Sequence, residues 1–432
     1  MSRKCRSSQP GSSRPRPAAI LRTRGGTARV VAAVLAAGVL AAACSSSGGG
    51  TSSSSGGSTS GSSSKSTYVI GNITSETGTY ASSTGGTFPT IDAWTKWTNA
   101  HGGINGHPVK VITVDDGGIP ANGIAAAKTL IADHVMAIVA PVSNTEFSWY
   151  TMVTSAKIPV IGGQTNGGPL YQTTPLLFPT GETSTVGLLS VAGTNHHPKI
   201  AVMYCSEVPA CAAQTTAFKS QAAAHASSLG GVKLVYSAAV SGSAPSYTAQ
   251  CLAAKQAGAN AMFVSDSAAI ADRVFKDCAS QGYTPMPLGY APSVDDSWLG
   301  QPSFDGAYIT EENFPWFASS TPTEIAFHSA IKQYDPALLK SITFNANTSQ
   351  VWAALEVYKA VMLKANAGDS PTPQKVIDTL YSLPAGWSVA GVTPPLTFAR
   401  DKPNPPVDCY FLVQIKNKNW TVAADGKVTC PA

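Results

Sequence analysis

From Thr67 onward, short runs of β-branched and aromatic residues alternate with longer stretches in which apolar positions recur every three to four residues. The first series predicts strands over Tyr68–Ile73 and Val109–Val114. It predicts helices over Phe88–Ala100 and Ile124–Asp133, the second with Ile124, Ala127 and Ile131 on one face. A strand over Met136–Ala140, a helix over Thr145–Ser155 and a strand over Pro159–Ile161 continue it. A second series begins near Thr185, with a helix to Gly193 and then strands over Lys199–Tyr204, Val232–Ala238, Ala261–Val264 and Pro287–Tyr290. Helices over Ala213–Ser228, Tyr247–Gly258 and Ala268–Gln281 separate them. Further helices follow over Glu324–Tyr334, Ser349–Ala365 and Pro373–Leu383; in the second of these Val351, Leu355, Tyr358 and Met362 fall at helical spacing. Strands over Cys409–Ile415 and Trp420–Ala424 close the chain. Strand, helix and strand in series imply a parallel sheet with helices on both faces, so the pattern reads as α/β with two such units.

The first 66 residues follow a different rule. Residues 1–43 carry eight basic groups and no acidic one, and after Arg29 an apolar run of 14 residues, Val30 to Ala43, ends directly at Cys44. That run is shorter than the roughly 20 residues a spanning helix needs, and with its basic flank it reads as a signal peptide over 1–43. Small residues before a cysteine resemble the bacterial lipoprotein box, with Ala41 where the box has a large aliphatic residue and Leu40 one place earlier. The resemblance implies lipidation of Cys44. Residues 44–66, almost wholly Ser, Gly and Thr from Ser45 on, predict a flexible tether reaching on the order of 26 Å.

Composition changes the picture at one point. The chain carries a formal +5, but without the eight basic groups of residues 1–43 it retains 21 basic against 24 acidic residues, a net of −3. The basicity belongs to targeting, so nucleic acid is excluded as a partner. With 432 residues and 43% hydrophobic content, two lobes with real cores fit beside the export segment.

Six cysteines remain beyond Cys5 and Cys44, an even number that outside the cytoplasm suggests disulfides. Local spacing favours Cys205 with Cys211, Cys251 with Cys278, and Cys409 with Cys430 among fifteen connectivities. No Cys-x-x-Cys occurs and the histidines are not at ligand spacing, so no metal site is expected.

The stretch Asn99-Ala-His-Gly-Gly-Ile-Asn-Gly106, running into Val109 and ending at Asp115-Asp116, reads as a helix stopped at Gly102–Gly103, a turn, and a parallel strand. It resembles the Asn-Ala-x-Gly-Gly-Ile-Asn-Gly signature of the leucine/isoleucine/valine-binding family of periplasmic-type binding proteins. Ile70-Gly71 with Thr77-Gly78, Ala126 to Ile131, Pro141 to Thr145, Ile158 to Ile161, and Gln164-Thr165-Asn166 stand at matching distances. The resemblance implies two Rossmann-like lobes joined by three hinge crossovers, a type I fold. Lobe one would cover 67–184 plus 311–388, and lobe two 185–310 plus 389–432. A small ligand would lie in the cleft between them, near the carboxyl ends of the strands.

Carried over residue by residue, the family's ligand-binding serine falls on Ser143, and its backbone and threonine contacts fall on Gly163 and Thr165. Tyr80, after the first strand, can wall the cleft or simply pack in its loop. In lobe two, Asp266 and Ser267 follow one strand where the family has a tyrosine. Tyr290 and Ala291 follow the next, with Ala291 where the family has its ammonium-binding glutamate. Either Asp266 replaces that carboxylate, or the ligand is not an amino acid, because an unpaired buried charge is costly. Trp316 reads as a ligand stack or as core.

The resemblance implies an extracytoplasmic substrate-binding lipoprotein of an ABC importer. It would be anchored at the outer face of the bacterial cell membrane, act as a monomer, take a small-molecule ligand and deliver it to permease subunits. A ligand-sensing receptor of the same fold is the alternative. Neither cofactor nor catalysis is expected. Gln164 and Pro169 break a dinucleotide loop after Gly162-Gly163, and Asp115-Asp116 and Asp295-Asp296 read as solvated pairs.

Overall fold

In the computed structural model the residues described are 65–79, 81–163, 176–180, 185–207, 209–405 and 407–431. The signal segment, Cys44, the tether up to residue 64, Tyr80 and Thr165 lie outside the described residues.

Five parallel strands form the first sheet: β1 (Tyr68–Thr74), β2 (Val109–Asp115), β3 (Ile138–Val139), β4 (Val160–Ile161) and β5 (Leu177–Phe178), in the order β2-β1-β3-β4-β5. Successive residues on these strands serve different cores. Ile73, Ile138, Val160 and Leu177 pack on one face, and Ile70, Val139, Ile161 and Phe178 on the other. That is the period-two consequence of a parallel sheet covered by helices on both sides.

Those helices are the short α1 (Ala81–Thr84), α2 (Thr87–Ala100), α3 (Pro120–Ala132) and α4 (Glu146–Ser155). The second sheet follows α5 (Thr185–Thr194) and contains β6 (Lys199–Cys205), β7 (Lys233–Val240), β8 (Ala261–Ser265), β9 (Met286–Tyr290), β10 (Tyr308–Glu311), β11 (Phe411–Lys416) and β12 (Asn419–Val422). Its order is β12-β11-β10-β9-β8-β6-β7, parallel from β7 to β10 with β11 and β12 antiparallel at one side. Helices α6 (Pro209–Ala224), α7 (Thr248–Gln256) and α8 (Ala268–Ser280) connect its parallel strands. After β10 the chain returns to the first sheet as α9 (Pro322–Tyr334), α10 (Ala346–Ala365) and α11 (Pro373–Tyr381), where α9 and α10 pack on α2. It goes back to the second sheet at β11, so it passes between the two layers three times.

Local chemistry explains several boundaries. α9 opens with Pro322 and a capping box in which Thr321 and Glu324 satisfy each other's backbone amides. Gly103 takes φ +68, and a Cβ there would stand 2.1 Å from the His107 carbonyl, so the turn after α2 needs glycine. Asn99 then ties α2 to the start of β2, its side chain exchanging hydrogen bonds of 2.9 and 2.8 Å with the Val109 backbone.

Three expectations need correction. The buried face of α3 is Gly123, Ala126, Ala127 and Leu130, while Ile124 and Ile131 are half-buried. Gly123 lets α3 approach α4 so closely that a Cβ would meet Thr145 Oγ1 at 2.2 Å, and this turns the small-residue face inward. β3 spans two residues rather than Met136–Ala140, because Ala140 takes φ +54 and the Asn72 amide, not a strand, bonds the Val139 and Ala140 carbonyls. β10 lies where no strand was expected. The three disulfides join Cys205 to Cys211, Cys251 to Cys278 and Cys409 to Cys430, the pairs favoured by spacing.

Candidate functional site

The carboxyl ends of β1, β2 and β3 meet at Asp116. Its carboxylate is fully buried, a placement that costs several kcal/mol unless donors compensate it. Four do: Ser75 Oγ (2.6 Å) and the Gly118 amide (2.8 Å) donate to Oδ1, and Ser143 Oγ (2.5 Å) and Thr145 Oγ1 (2.7 Å) donate to Oδ2. Asp116 is therefore not the solvated acid its sequence position suggests. Ser143 is fully buried too, and its hydroxyl accepts from Trp149 Nε1 at 3.2 Å and from the Thr145 amide at 3.1 Å. Here the Ser143 hydroxyl ties its own loop to the loop after β2 and to α4.

Beside this knot, Glu76 is half-buried, with Oε2 accepting from the Phe88 amide at 3.1 Å. Burial pushes its pKa up to about 7, against the lowering effect of the Phe88 amide, and the charge of Asp115 adds to the rise. At the end of β4, Gly163 is buried with φ +106. Its neighbour Gly162 takes φ +71, and a Cβ there would stand 2.4 Å from Ala354 Cβ, so α10 lies directly against this strand end.

In the second sheet, Asp266 follows β8 and is partly buried. Oδ1 accepts from the Ser267 amide at 2.7 Å, while Oδ2 is buried without a partner among the described residues. Burial raises its pKa, and nearby Glu207 adds to the rise. Ser267 is exposed. Tyr290 ends β9 in a core cluster with Leu288 and Tyr410. Trp316 is core, 2% exposed, with its ring 5.0 Å from that of Trp420.

The structure draws together a different set. Ala291 and Pro292 after β9, Glu311 at the end of β10, Glu312 and Asn313 just beyond it, and Ala346, Ser349 and Gln350 in the first turns of α10 line one pocket of about 190 Å³, counting its open mouth. It lies where the strand ends of the second sheet meet a helix of the first. Its polar walls are buried: Glu311 is 2% exposed, Glu312 4%, Asn313 3% and Gln350 3%. Gln350 Nε2 donates to Glu312 Oε2 at 2.6 Å, which orients that amide and turns Gln350 Oε1 away from it. Both Glu311 carboxylate oxygens, both Asn313 amide atoms and Gln350 Oε1 are buried with no hydrogen-bond partner among the described residues. Each such atom costs about 1–3 kcal/mol, and buried polar groups are nearly always paired. Burial, and then the charge of Glu312, raises the Glu311 pKa well above the usual carboxylate range. Five such atoms thus lie on one small wall.

Ser143, Gly163, Asp266, Ser267 and Tyr290 are not in this lining; only Ala291, the neighbour of Tyr290, is. The signal in the sequence was Tyr308-Ile-Thr-Glu-Glu-Asn-Phe314, a short apolar run passing into two acids and an amide before aromatic residues. A strand of four residues with a polar end is too brief to reveal itself by period. A larger groove, about 830 Å³ counting its mouth, has Trp316, Phe317, Phe344 and Trp420 among its walls.

Residues 67–420 match the family described as periplasmic binding protein. Solved structures share the fold at low identity. An extracellular ligand-binding receptor from Verminephrobacter eiseniae has 16% identity and a TM-score of 0.67, covering 84% of this chain and 99% of that one. A fatty acid ABC transporter substrate-binding protein from Thermomonospora curvata has 16% identity and a TM-score of 0.66, covering 83% and 91%. A leucine binding protein from Thermotoga maritima has 15% identity and a TM-score of 0.65, covering 84% and 99%. No curated protein sequence matches the chain. Among the described residues no helix is long and apolar enough to cross a membrane.

Proposed function

Because the chain belongs to the type I periplasmic binding proteins, we propose that it is the extracytoplasmic substrate-binding lipoprotein of an ABC importer, holding a small polar molecule between its two layers and passing it to the permease. The observation that carries this reading is the pocket where both layers meet, whose buried Glu311, Asn313 and Gln350 atoms have no partner among the described residues. A protein accepts such a cost where a ligand restores the missing hydrogen bonds. The lobes would divide at 67–184 plus 311–388 and 185–310 plus 389–432. Closing them on three connections would bury the ligand and create a composite surface for the transporter. Cys44 would carry the lipid, and residues 45–66 would space the body from the outer face of the membrane.

The test is a thermal-shift screen of the full chain against amino acids, amides, small carboxylates, short peptides and aromatic acids. A ligand at 100 times its Kd stabilises by about 2.7 kcal/mol, an easily read shift. At least one class is expected to give it. A folded protein that no class stabilises would overturn the binding reading.

A further inference from the structure

We propose that Glu311 stands in the pocket as an uncharged carboxylic acid at neutral pH and hydrogen-bonds an uncharged head group of the ligand, a carboxamide or a hydroxyl. The proposal rests on the binding reading above and names the head-group chemistry of that site.

Two acids lie buried side by side on this wall. Glu311 is 2% exposed and Glu312 4%, and no Lys, Arg or His belongs to the lining. Taking a carboxylate out of water costs several kcal/mol unless a cation or donors compensate it. Gln350 Nε2 donates to Glu312 at 2.6 Å, whereas both Glu311 oxygens lack a partner among the described residues. Asp116 is the contrast, since its equally buried carboxylate receives four donors. Two neighbouring acids in one buried site favour a single ionisation, so Glu312 keeps the charge and Glu311 the proton.

The elements packed on β10 bring no cation beside Glu311. Helix α5, the first turn of α10 and the Ala291–Ser293 turn carry no titratable residue. Strand β9 brings Tyr290, and β11 brings Phe411 opposite Glu311 with Tyr410 before it and the exposed Lys416 at its far end. Burial raises the Glu311 pKa, and the charge of Glu312 adds to the rise.

A neutral acid sets the inventory of the wall. Glu311 then offers an O–H donor and a carbonyl acceptor, Asn313 a donor and an acceptor whichever way its amide is placed, and Gln350 the acceptor Oε1. Donors and acceptors side by side match a group that both donates and accepts. A carboxamide can exchange paired hydrogen bonds with a carboxylic acid, and a hydroxyl can take one of each kind. An ammonium meets no charge on Glu311, and the Glu312 carboxylate is already engaged by Gln350. A ligand carboxylate is repelled by Glu312.

The experiment uses the full chain. Thermal shift and titration calorimetry at pH 7 compare benzamide and benzyl alcohol with benzoate and benzylamine, and isovaleramide and isoamyl alcohol with isovalerate and isoamylamine. At least one uncharged probe is expected to bind where its charged partners do not. Its affinity should hold on the acid side of neutrality and fall by about tenfold per pH unit once Glu311 loses its proton. Glu76→Gln removes another carboxyl of raised pKa and should leave that profile unchanged. Glu311→Gln keeps a donor and an acceptor, so it should bind within about fivefold of wild type with no such fall, whereas Glu311→Leu should lose about tenfold or more. Infrared difference spectra between wild type and Glu311→Gln should show the carbonyl band of a protonated acid at pH 7. Because the probe comparison and its pH profile use wild type, the test survives a variant that fails to fold.

A charged probe that binds best and is weakened about 100-fold by Glu311→Gln would overturn the proposal and leave the binding function standing. Infrared spectra showing Glu311 ionised at pH 7 would do the same. A folded protein with protonated Glu311 that neither these probes nor the wider screen stabilises would overturn the binding reading, and recognition by Glu311 with it.

Discussion

Glu76 and Gly162 show how single residues near the strand ends carry measurable consequences. A glutamate titrates near 4.5 in the unfolded chain, whereas burial holds Glu76 near 7 in the folded one. Between those values the native state keeps the proton more tightly. Its contribution to stability is complete below pH 4.5 and is lost as pH rises through 7. Urea unfolding from pH 4 to 8 should therefore show wild type losing stability across this window relative to Glu76→Gln, and equal slopes in the two proteins would reject the assignment. Gly162→Ala combines a left-handed backbone with a Cβ 2.4 Å from Ala354. It should cost roughly 2–4 kcal/mol by thermal unfolding. A loss of a few tenths would mean that α10 does not press on β4 as described. Neither effect could be read from the sequence. The first depends on what buries Glu76, and the second on which helix crosses the strand end.

Among the elements, the long ones announced themselves. All four of Val351, Leu355, Tyr358 and Met362 are buried in α10, as their spacing predicted. Cysteine spacing likewise anticipated the link between α7 and α8, because both sulfurs lie on neighbouring helices of one supersecondary unit. That bridge closes a separation of 27 residues, so replacing both cysteines by serine should destabilise by about 3.5 kcal/mol on the loop-entropy account. Denaturant midpoints of the oxidised wild type and the double variant measure it, and a loss under about 1 kcal/mol would show that residual structure already constrains the unfolded chain. Short elements were less legible. β10 has only four residues, and the inward face of α3 was set by how closely Gly123 lets it approach α4, not by its isoleucines.

At the scale of the whole molecule, the proposed tether predicts a fractionation result. Cys44→Ser should move the protein from the membrane fraction to the soluble extracytoplasmic fraction while leaving ligand affinity unchanged, and an unchanged distribution would rule out a lipid on that residue. The sequence alone carried the main alternation of strands and helices, the α/β class and the resemblance to the family, and its spacing favoured the disulfide pairs that the structure forms. These depend on local period, on turn residues such as Gly103, and on spacings along the chain. Only the tertiary structure decided which polar residues share a wall. Ser143 was placed by alignment and proves to be bound to Asp116 inside one layer. Glu311 and Gln350 are distant in sequence and unremarked by period, and they meet because one ends a strand of the second sheet while the other begins a helix of the first. A pocket between layers belongs to neither local pattern. It exists only once the chain has crossed between them.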